Sequence, residues 1–214
     1  MRASTPTDLQ KPHAIGQGLA PAETINLFDG GFFMNTANKL TLLRVVLVPV
    51  FMAFLLTDGT AWQFAALAVF IIASLTDMLD GQIARKCNQI TTFGKFADPL
   101  ADKMLTTAAF LVFLQRGYIN SWAVMIVLAR EFMVAGVRLE AVAQGKVIAA
   151  SFWGKLKTVS QMAAIIIAIL VLNIPFFDTS ALIITNVCVW ISVALTVISG
   201  ADYLIKNWGM MKLK

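Results

Sequence analysis

Four aspartates, Asp77, Asp80, Asp98 and Asp102, fall within 26 residues of a chain that is 58% hydrophobic and only 14% charged. Asp77 and Asp80 are three residues apart, and Asp98 and Asp102 are four apart, so on helices each pair projects from nearly one face. The polar stretch 88–92 between the pairs can turn the chain. Two antiparallel helices would then present their carboxylates to each other. Four like charges in a low-dielectric cleft repel strongly, and protons or cations must relieve them. Hard divalent cations with oxygen ligands, magnesium or manganese, are the economical solution. Gly81, Ala84 and Gly94 leave backbone uncovered beside the acids, where a flat group such as a nucleotide base can approach. Arg85 adds a guanidinium with two bonding edges for a phosphate, and Thr91 adds a hydroxyl. Together these residues point to a bound diphosphate. A single aspartate near a helix end is most often a cap, and Asp98 before Pro99 has that form. Intramembrane acids also mark cation pathways, but a transporter does not call for Arg85, Lys86 and Lys95 in the same connector.

The elements that must position these groups are apolar. Six segments stand out, at about 40–56, 62–79, 104–114, 122–137, 159–172 and 181–198. Each can be completed with its polar flanks to about 20 residues, enough to cross the hydrocarbon layer as a helix. Backbone exposed to lipid must bond within its own segment, so helices are expected and strands are not. The fold class predicted is therefore all-α, a polytopic membrane protein with six transmembrane helices. A soluble domain carries nearer a quarter of its residues charged, and the net charge of +5 is spread over connectors rather than gathered for nucleic acid. The first, third and fifth connectors hold one basic residue, Arg116, whereas the second and fourth hold Arg85, Lys86, Lys95, Lys146, Lys155 and Lys157. Basic residues concentrate on the cytoplasmic side, which puts both termini and the four aspartates there. Lys39 and Arg44 are expected to hold the first helix at the interface.

Residues 1–33 read differently. They are polar, with scattered Pro and Gly and no apolar core before a cleavage site, and are expected to form a flexible extension. The membrane domain is expected over 34–214. The single histidine, His13, has no ligand type near it. Cys87 and Cys188 are too few for a zinc site, and no disulfide is expected.

The stretch "DMLDGQIARKCNQITTFGKFADPLAD" resembles the signature of the CDP-alcohol phosphotransferases, D-x2-D-G-x2-A-R-x8-G-x3-D-x3-D. All eight fixed positions match: Asp77, Asp80, Gly81, Ala84, Arg85, Gly94, Asp98 and Asp102. "NTANKLTLLRVVLVPVF" and "AREFMVAGVRLEAVAQGKVIAASFWGKLKTVSQM" resemble segments of the phosphatidylglycerophosphate synthase branch of that family. One departure is Ala37, where that branch commonly has proline.

The resemblance implies a homodimer of six-helix subunits in a bacterial-type cell membrane. It implies transfer of a phosphatidyl group from CDP-diacylglycerol to sn-glycerol 3-phosphate, releasing CMP. It further implies two Mg2+ or Mn2+ ions on Asp77, Asp80 and Asp98, with Asp102 as the base and also touching a metal. The CDP-lipid would meet Asp80, Gly81, Ala84, Arg85, Thr91 and Gly94, with Asn38 and Thr41 reaching the nucleotide. The acceptor is a small dianion and needs its own cations, for which Arg130, Arg138, Lys146, Lys155 and Lys157 are the candidates. Glu131 and Arg138, seven apart, are nearly superposed on one helical face, the spacing of a structural salt bridge. Two other readings remain at this stage: the same enzyme type with inositol phosphate, serine or phosphatidylglycerol as acceptor, and a cation transporter.

Overall fold

A computed structural model describes the backbone of residues 36–87, 92–144, 151–177 and 179–208. Within it, side chains are described over 42–76, 103–141, 144, 151–177 and 179–208. Thr91, Lys146 and the 1–33 extension with His13 lie outside the described residues. So do the side chains of Asn38, Thr41, Asp77, Asp80, Gly81, Ala84, Arg85, Gly94, Asp98 and Asp102.

Six α-helices account for nearly all of the described chain: α1 Thr36–Leu56, α2 Thr60–Cys87, α3 Thr92–Gln115, α4 Ser121–Ala143, α5 Phe152–Asn173 and α6 Ala181–Asn207. One 3-10 turn, Pro175–Phe177, precedes α6, and no strand occurs among the described residues. Each apolar segment of the sequence falls inside one helix, and the polar flanks lengthen it. In α2 the helix continues from its apolar part through Asp77, Asp80 and Arg85 to Cys87. The alternative reading of Asp98 as a helix cap is not met. α3 starts at Thr92, so Asp98 and Pro99 lie a turn and more inside the helix.

Short connectors make consecutive helices antiparallel, and their turn chemistry is local. Behind α3, Gly117 takes φ +72°. Its N–H donates to Leu114 O at 3.0 Å while Tyr118 N–H donates to Phe113 O at 2.9 Å, the paired bonds of a Schellman stop. Asn120 Oδ1 then accepts from Trp122 N–H at 2.9 Å and starts α4. The same end of the bundle is tied by Arg116. Its Nη1 donates to Asp58 Oδ1 at 3.0 Å and its Nη2 to Leu56 O at 2.7 Å, which satisfies a carbonyl at the end of α1. Burial works against that guanidinium's charge, but its bonds to Tyr118 and Asp58 outweigh the penalty, and its pKa is raised.

Packing is inside-out relative to a soluble bundle. Phe132 and Leu139 are each 73% exposed, and Trp122, Met125, Ile183, Ile191 and Ile205 also face outward. Inside, next to Phe51, Phe70, Phe110 and Ile165, lie Arg44, Glu131, Lys157, Gln161, Thr196 and Ser199. Water-facing surfaces do not carry an apolar belt of this extent. α5 and α6 pair most extensively, through buried small side chains: Ala164, Ala168 and Ala181, with Thr185, Ser192, Thr196 and Ser199 on α6. Small residues let backbones approach where lipid removes the hydrophobic drive between helices. Two of the buried hydroxyls are satisfied within their own helix: Ser192 Oγ donates to Val189 O and Thr196 Oγ1 to Ser192 O, both at 2.7 Å.

By length and composition, α5 and α6 are each able to cross a membrane. Leu42–Leu56, Thr60–Thr76 and Lys103–Gln115 are shorter apolar runs in α1, α2 and α3. α4 carries Arg130, Glu131, Arg138 and Glu140 within its span, and its two inward charges are absorbed by the bundle.

Candidate functional site

Asp77 and Asp80 lie in the second half of α2, and Asp98 and Asp102 in the first half of α3. The two helices touch and are joined through 88–91, so both pairs stand at the same end of the bundle. Gly81, Ala84 and Arg85 continue α2 at that end, Gly94 opens α3, and Asn38 and Thr41 are on the first turns of α1. As a donor set, four carboxylates from two adjoining helices fit a hard divalent cation, which prefers oxygen. No group of three or more metal-ligating side chains occurs among the described residues, whose side chains exclude these four.

One turn further into the bundle, a narrow cleft is lined by Arg44, Ala73, Ser74, Leu105, Thr106, Thr158 and Met162. Ser74 is three residues before Asp77, and Thr106 four after Asp102, so the cleft is the floor of the acidic end. Arg44 corrects the sequence reading. It does not reach outward to the interface but is 1% exposed, the largest fully buried side chain among the described residues. The positive-inside rule counts an arginine without knowing which face of its helix turns inward. Here the inward face puts a permanent cation next to the acidic end.

A second polar cluster is built from α3, α4, α5 and α6. Glu131, 8% exposed, is its centre. Lys157 Nζ donates to Glu131 Oε1, Arg130 Nη1 donates to the same oxygen at 3.2 Å, and Lys103 Nζ lies 4.0 Å from Oε2. Arg130 is held at its other nitrogen as well, with Nη2 donating to Ser199 Oγ at 2.6 Å. Its Nε is buried and has no hydrogen-bond partner. Two glycines let the helices close on this side chain. A Cβ at Gly200 would lie 3.0 Å from Arg130 Cγ, and one at Gly154 would lie 3.9 Å from Arg130 Nη2. Gly154 belongs to the first turn of α5, where its N–H is capped by Ser151 Oγ at 3.1 Å. The positive end of that helix dipole adds to the local field. Behind it, Gln161 Nε2 donates to Thr196 Oγ1 at 3.1 Å and locks α5 to α6.

Three cations therefore surround one carboxylate, and Arg130, Lys157 and Glu131 are its largely buried members. Cationic N–H donors gathered in one place are the kind of groups that suit a phosphate. Of the residues expected to hold the acceptor, the structure brings Arg130 and Lys157 together and leaves Arg138 and Lys155 exposed. The alternative of a salt bridge between Glu131 and Arg138 is not met, and Glu131 pairs with Lys157, Arg130 and Lys103 instead. Helical spacing alone had favoured a partner two turns along the same helix, while the neighbouring helix supplies one closer. Lys103, Glu131 and Ser199 were missed as site residues. The only sequence signal for Glu131 was a charge pair, Arg130–Glu131, inside an apolar run, which is expensive unless paired.

The sequence profile of the CDP-alcohol phosphatidyltransferases matches residues 34–198. The chain is 40% identical over 191 residues to a CDP-diacylglycerol–glycerol-3-phosphate 3-phosphatidyltransferase of Bacillus subtilis, covering 83% of this chain and 97% of the relative. It is 38% identical over 188 residues to a probable phosphatidylglycerophosphate synthase of Mycobacterium tuberculosis, covering 86% and 87%. Among solved structures, the apo phosphatidylinositol phosphate synthase of Mycobacterium tuberculosis superposes with a TM-score of 0.57 at 20% identity, over 82% of this chain and 93% of that one. That likeness is one of fold.

Proposed function

Because the chain belongs to the CDP-alcohol phosphatidyltransferase family, we propose that it transfers the phosphatidyl group of CDP-diacylglycerol to sn-glycerol 3-phosphate. The products are phosphatidylglycerophosphate and CMP, a step of phospholipid biosynthesis. The observation behind the choice of acceptor is the cluster in which Lys103, Arg130 and Lys157 gather around Glu131. A phosphate dianion calls for several cationic side chains in one place, whereas an acceptor such as serine does not.

In this reading Asp102 accepts the proton of the acceptor's hydroxyl as its oxygen attacks the lipid-bearing phosphorus and the bond to CMP breaks. Arg130 and Lys157 hold the acceptor phosphate, with Arg138, Lys146 and Lys155 guiding it from the aqueous side. Gly81, Ala84 and Gly94 leave room for the cytidine, beside Asn38 and Thr41, and Arg85 and Thr91 bind the diphosphate. Asp77, Asp80, Asp98 and Asp102 would hold two divalent ions, Mg2+ or Mn2+, which when bound neutralise the diphosphate and the charge on departing CMP.

The same reading makes all six helices transmembrane, with α1–α4 completing their spans through inward-facing polar residues. The basic connectors place the acidic end in the cytoplasm, where the headgroup can enter while the acyl chains stay in the leaflet. Residues 1–33 form an extension to the membrane domain 34–214, and the working unit is a homodimer.

The test is CMP release by purified protein given CDP-diacylglycerol, Mg2+ or Mn2+, and a panel of glycerol 3-phosphate, inositol phosphate, serine and phosphatidylglycerol. Release with glycerol 3-phosphate and its loss on chelation are expected. Release with another alcohol alone would transfer the assignment to that acceptor. Cation flux without CDP-lipid would remove the enzyme reading.

A further inference from the structure

We propose that Arg44 is the built-in counter-ion of the acidic end: its buried guanidinium pairs with Asp77 and Asp102, positions them when no metal is bound, and competes with the metal ions for them. This rests on the reading of the four aspartates as the metal site and adds a residue of α1 to it. Arg44 is 1% exposed. A guanidinium stays charged in a protein, and a buried charge is kept only where an opposite charge or hydrogen bonds answer it. The topology restricts where that opposite charge comes from. α1 packs chiefly against α2 and α3. The acids of those two helices are Asp77, Asp80, Asp98 and Asp102, and α5, which closes the same cleft through Thr158 and Met162, has none. Asp58 lies beyond the other end of α1 and is bonded to Arg116, about 20 Å from Arg44 at helical rise. Glu131, on α4, is held by Lys157 and Arg130.

Register selects two of the four acids. Arg44 shares its cleft with Ser74 and Thr106. Asp77 is three residues after Ser74, and Asp102 four before Thr106, so each lies about 5–6 Å along its helix from the cleft wall. Both steps lead the same way, toward the end where α2 and α3 are joined. A guanidinium carries five N–H donors in a fixed fork, enough to serve carboxylates from two helices at once. Carboxylates gathered in a medium with little water repel one another, and metal ions relieve this only while bound. A permanent cation in the floor relieves part of it at all times. In exchange, each arriving divalent ion meets a positive charge already in place.

The two roles of such a cation leave opposite marks. In the full chain, purified in detergent and without substrate, Mn2+ binding is read by electron paramagnetic resonance. Arg44→Met is expected to bind Mn2+ about tenfold more tightly, since a like charge beside the ions is gone, and to melt at a lower temperature in chelator. Arg44→Lys, which keeps the charge, is expected to stay within about threefold of the wild-type affinity. An arginine that only fills space or anchors α1 would leave Mn2+ affinity unmoved. Unchanged or weaker binding in Arg44→Met, or equal tightening in Arg44→Lys, overturns the proposal.

Asp77→Asn and Asp102→Asn give a second test, which needs neither a metal nor a folded Arg44 variant. If the acids only repel one another, neutralising one raises the melting temperature in chelator. If Arg44 depends on them, neutralising its partner lowers that temperature, because a buried cation loses its opposite charge. A fall in at least one of the two variants is expected. A rise or no change in both overturns the proposal. Should the wild type bind no Mn2+, the metal reading is wrong, and these melting temperatures decide the role of Arg44 by themselves.

Discussion

The acidic end of α2 and α3 and the cationic cluster around Glu131 are made by opposite strategies. The first uses four residues of one type at helical spacing on two consecutive helices, joined by four residues. The second uses Lys103, Arg130, Glu131, Lys157 and Ser199, which span nearly a hundred positions and four helices. The acids are like charges brought near one another by helical spacing alone. The cations are brought together from three helices, around a carboxylate on one of them. In the proposed reading, the diphosphate and its metals are served by a short motif, and the acceptor's phosphate by residues that only the fold assembles.

Substitutions at the two places should separate cleanly. The largest effect is expected from Asp102→Asn, which removes the proposed base. Turnover should fall by about 10²–10⁴-fold while CDP-lipid binding, measured by nucleotide protection, is largely kept. Loss of binding as well would mean that Asp102 is chiefly a ligand and that the two regions are not distinct in role. Next, Lys157→Met withdraws a buried cation from Glu131. The acceptor KM is expected to rise about 10–100-fold, as for a lost charge-assisted bond, with CDP-diacylglycerol KM unchanged in the same initial-rate assay. Gly200→Ala should be smaller. The new methyl would sit 3.0 Å from Arg130 Cγ and 3.3 Å from Met133 Cε. Arg130 is pinned at Glu131 and Ser199 and cannot retreat, so overpacking should cost about 1–3 kcal/mol, read as a lower melting temperature with a few-fold higher acceptor KM. The least effect is expected from Asp58→Asn at the far end. Asp58 is 94% exposed in its pair with Arg116, and such pairs contribute about 0–1 kcal/mol. Kinetics there should match the wild type, and any change in acceptor KM would show that the far end communicates with the cluster.

The helices were legible because each is an apolar run interrupted by turn residues. Gly117 and Asn120 stop α3 and start α4 where the "RGYINS" stretch marks a turn. The acidic motif was legible because three- and four-residue spacings need only a helix to become a face. Asp98 shows the limit of local reasoning. Asp-Pro reads as a helix start, yet α3 begins at Thr92, since the context upstream is helical enough to absorb a proline. Arg44 and Arg138 show a second limit. One is 1% exposed and the other exposed, and nothing in their immediate neighbours distinguishes them.

From the sequence alone came the all-helical architecture, the basic connectors and the four acids at one end of two consecutive helices. These depend on period and composition, which act within about twenty residues. The rotation of each helix about its axis came only with the tertiary structure. It decides that Arg44 faces inward, that Glu131 meets Lys157 rather than Arg138, and that Lys103 and Ser199 join them. Rotation is settled by packing between helices, through contacts such as Gly200 against Arg130 and Gln161 to Thr196, and such contacts have no signature in any single segment.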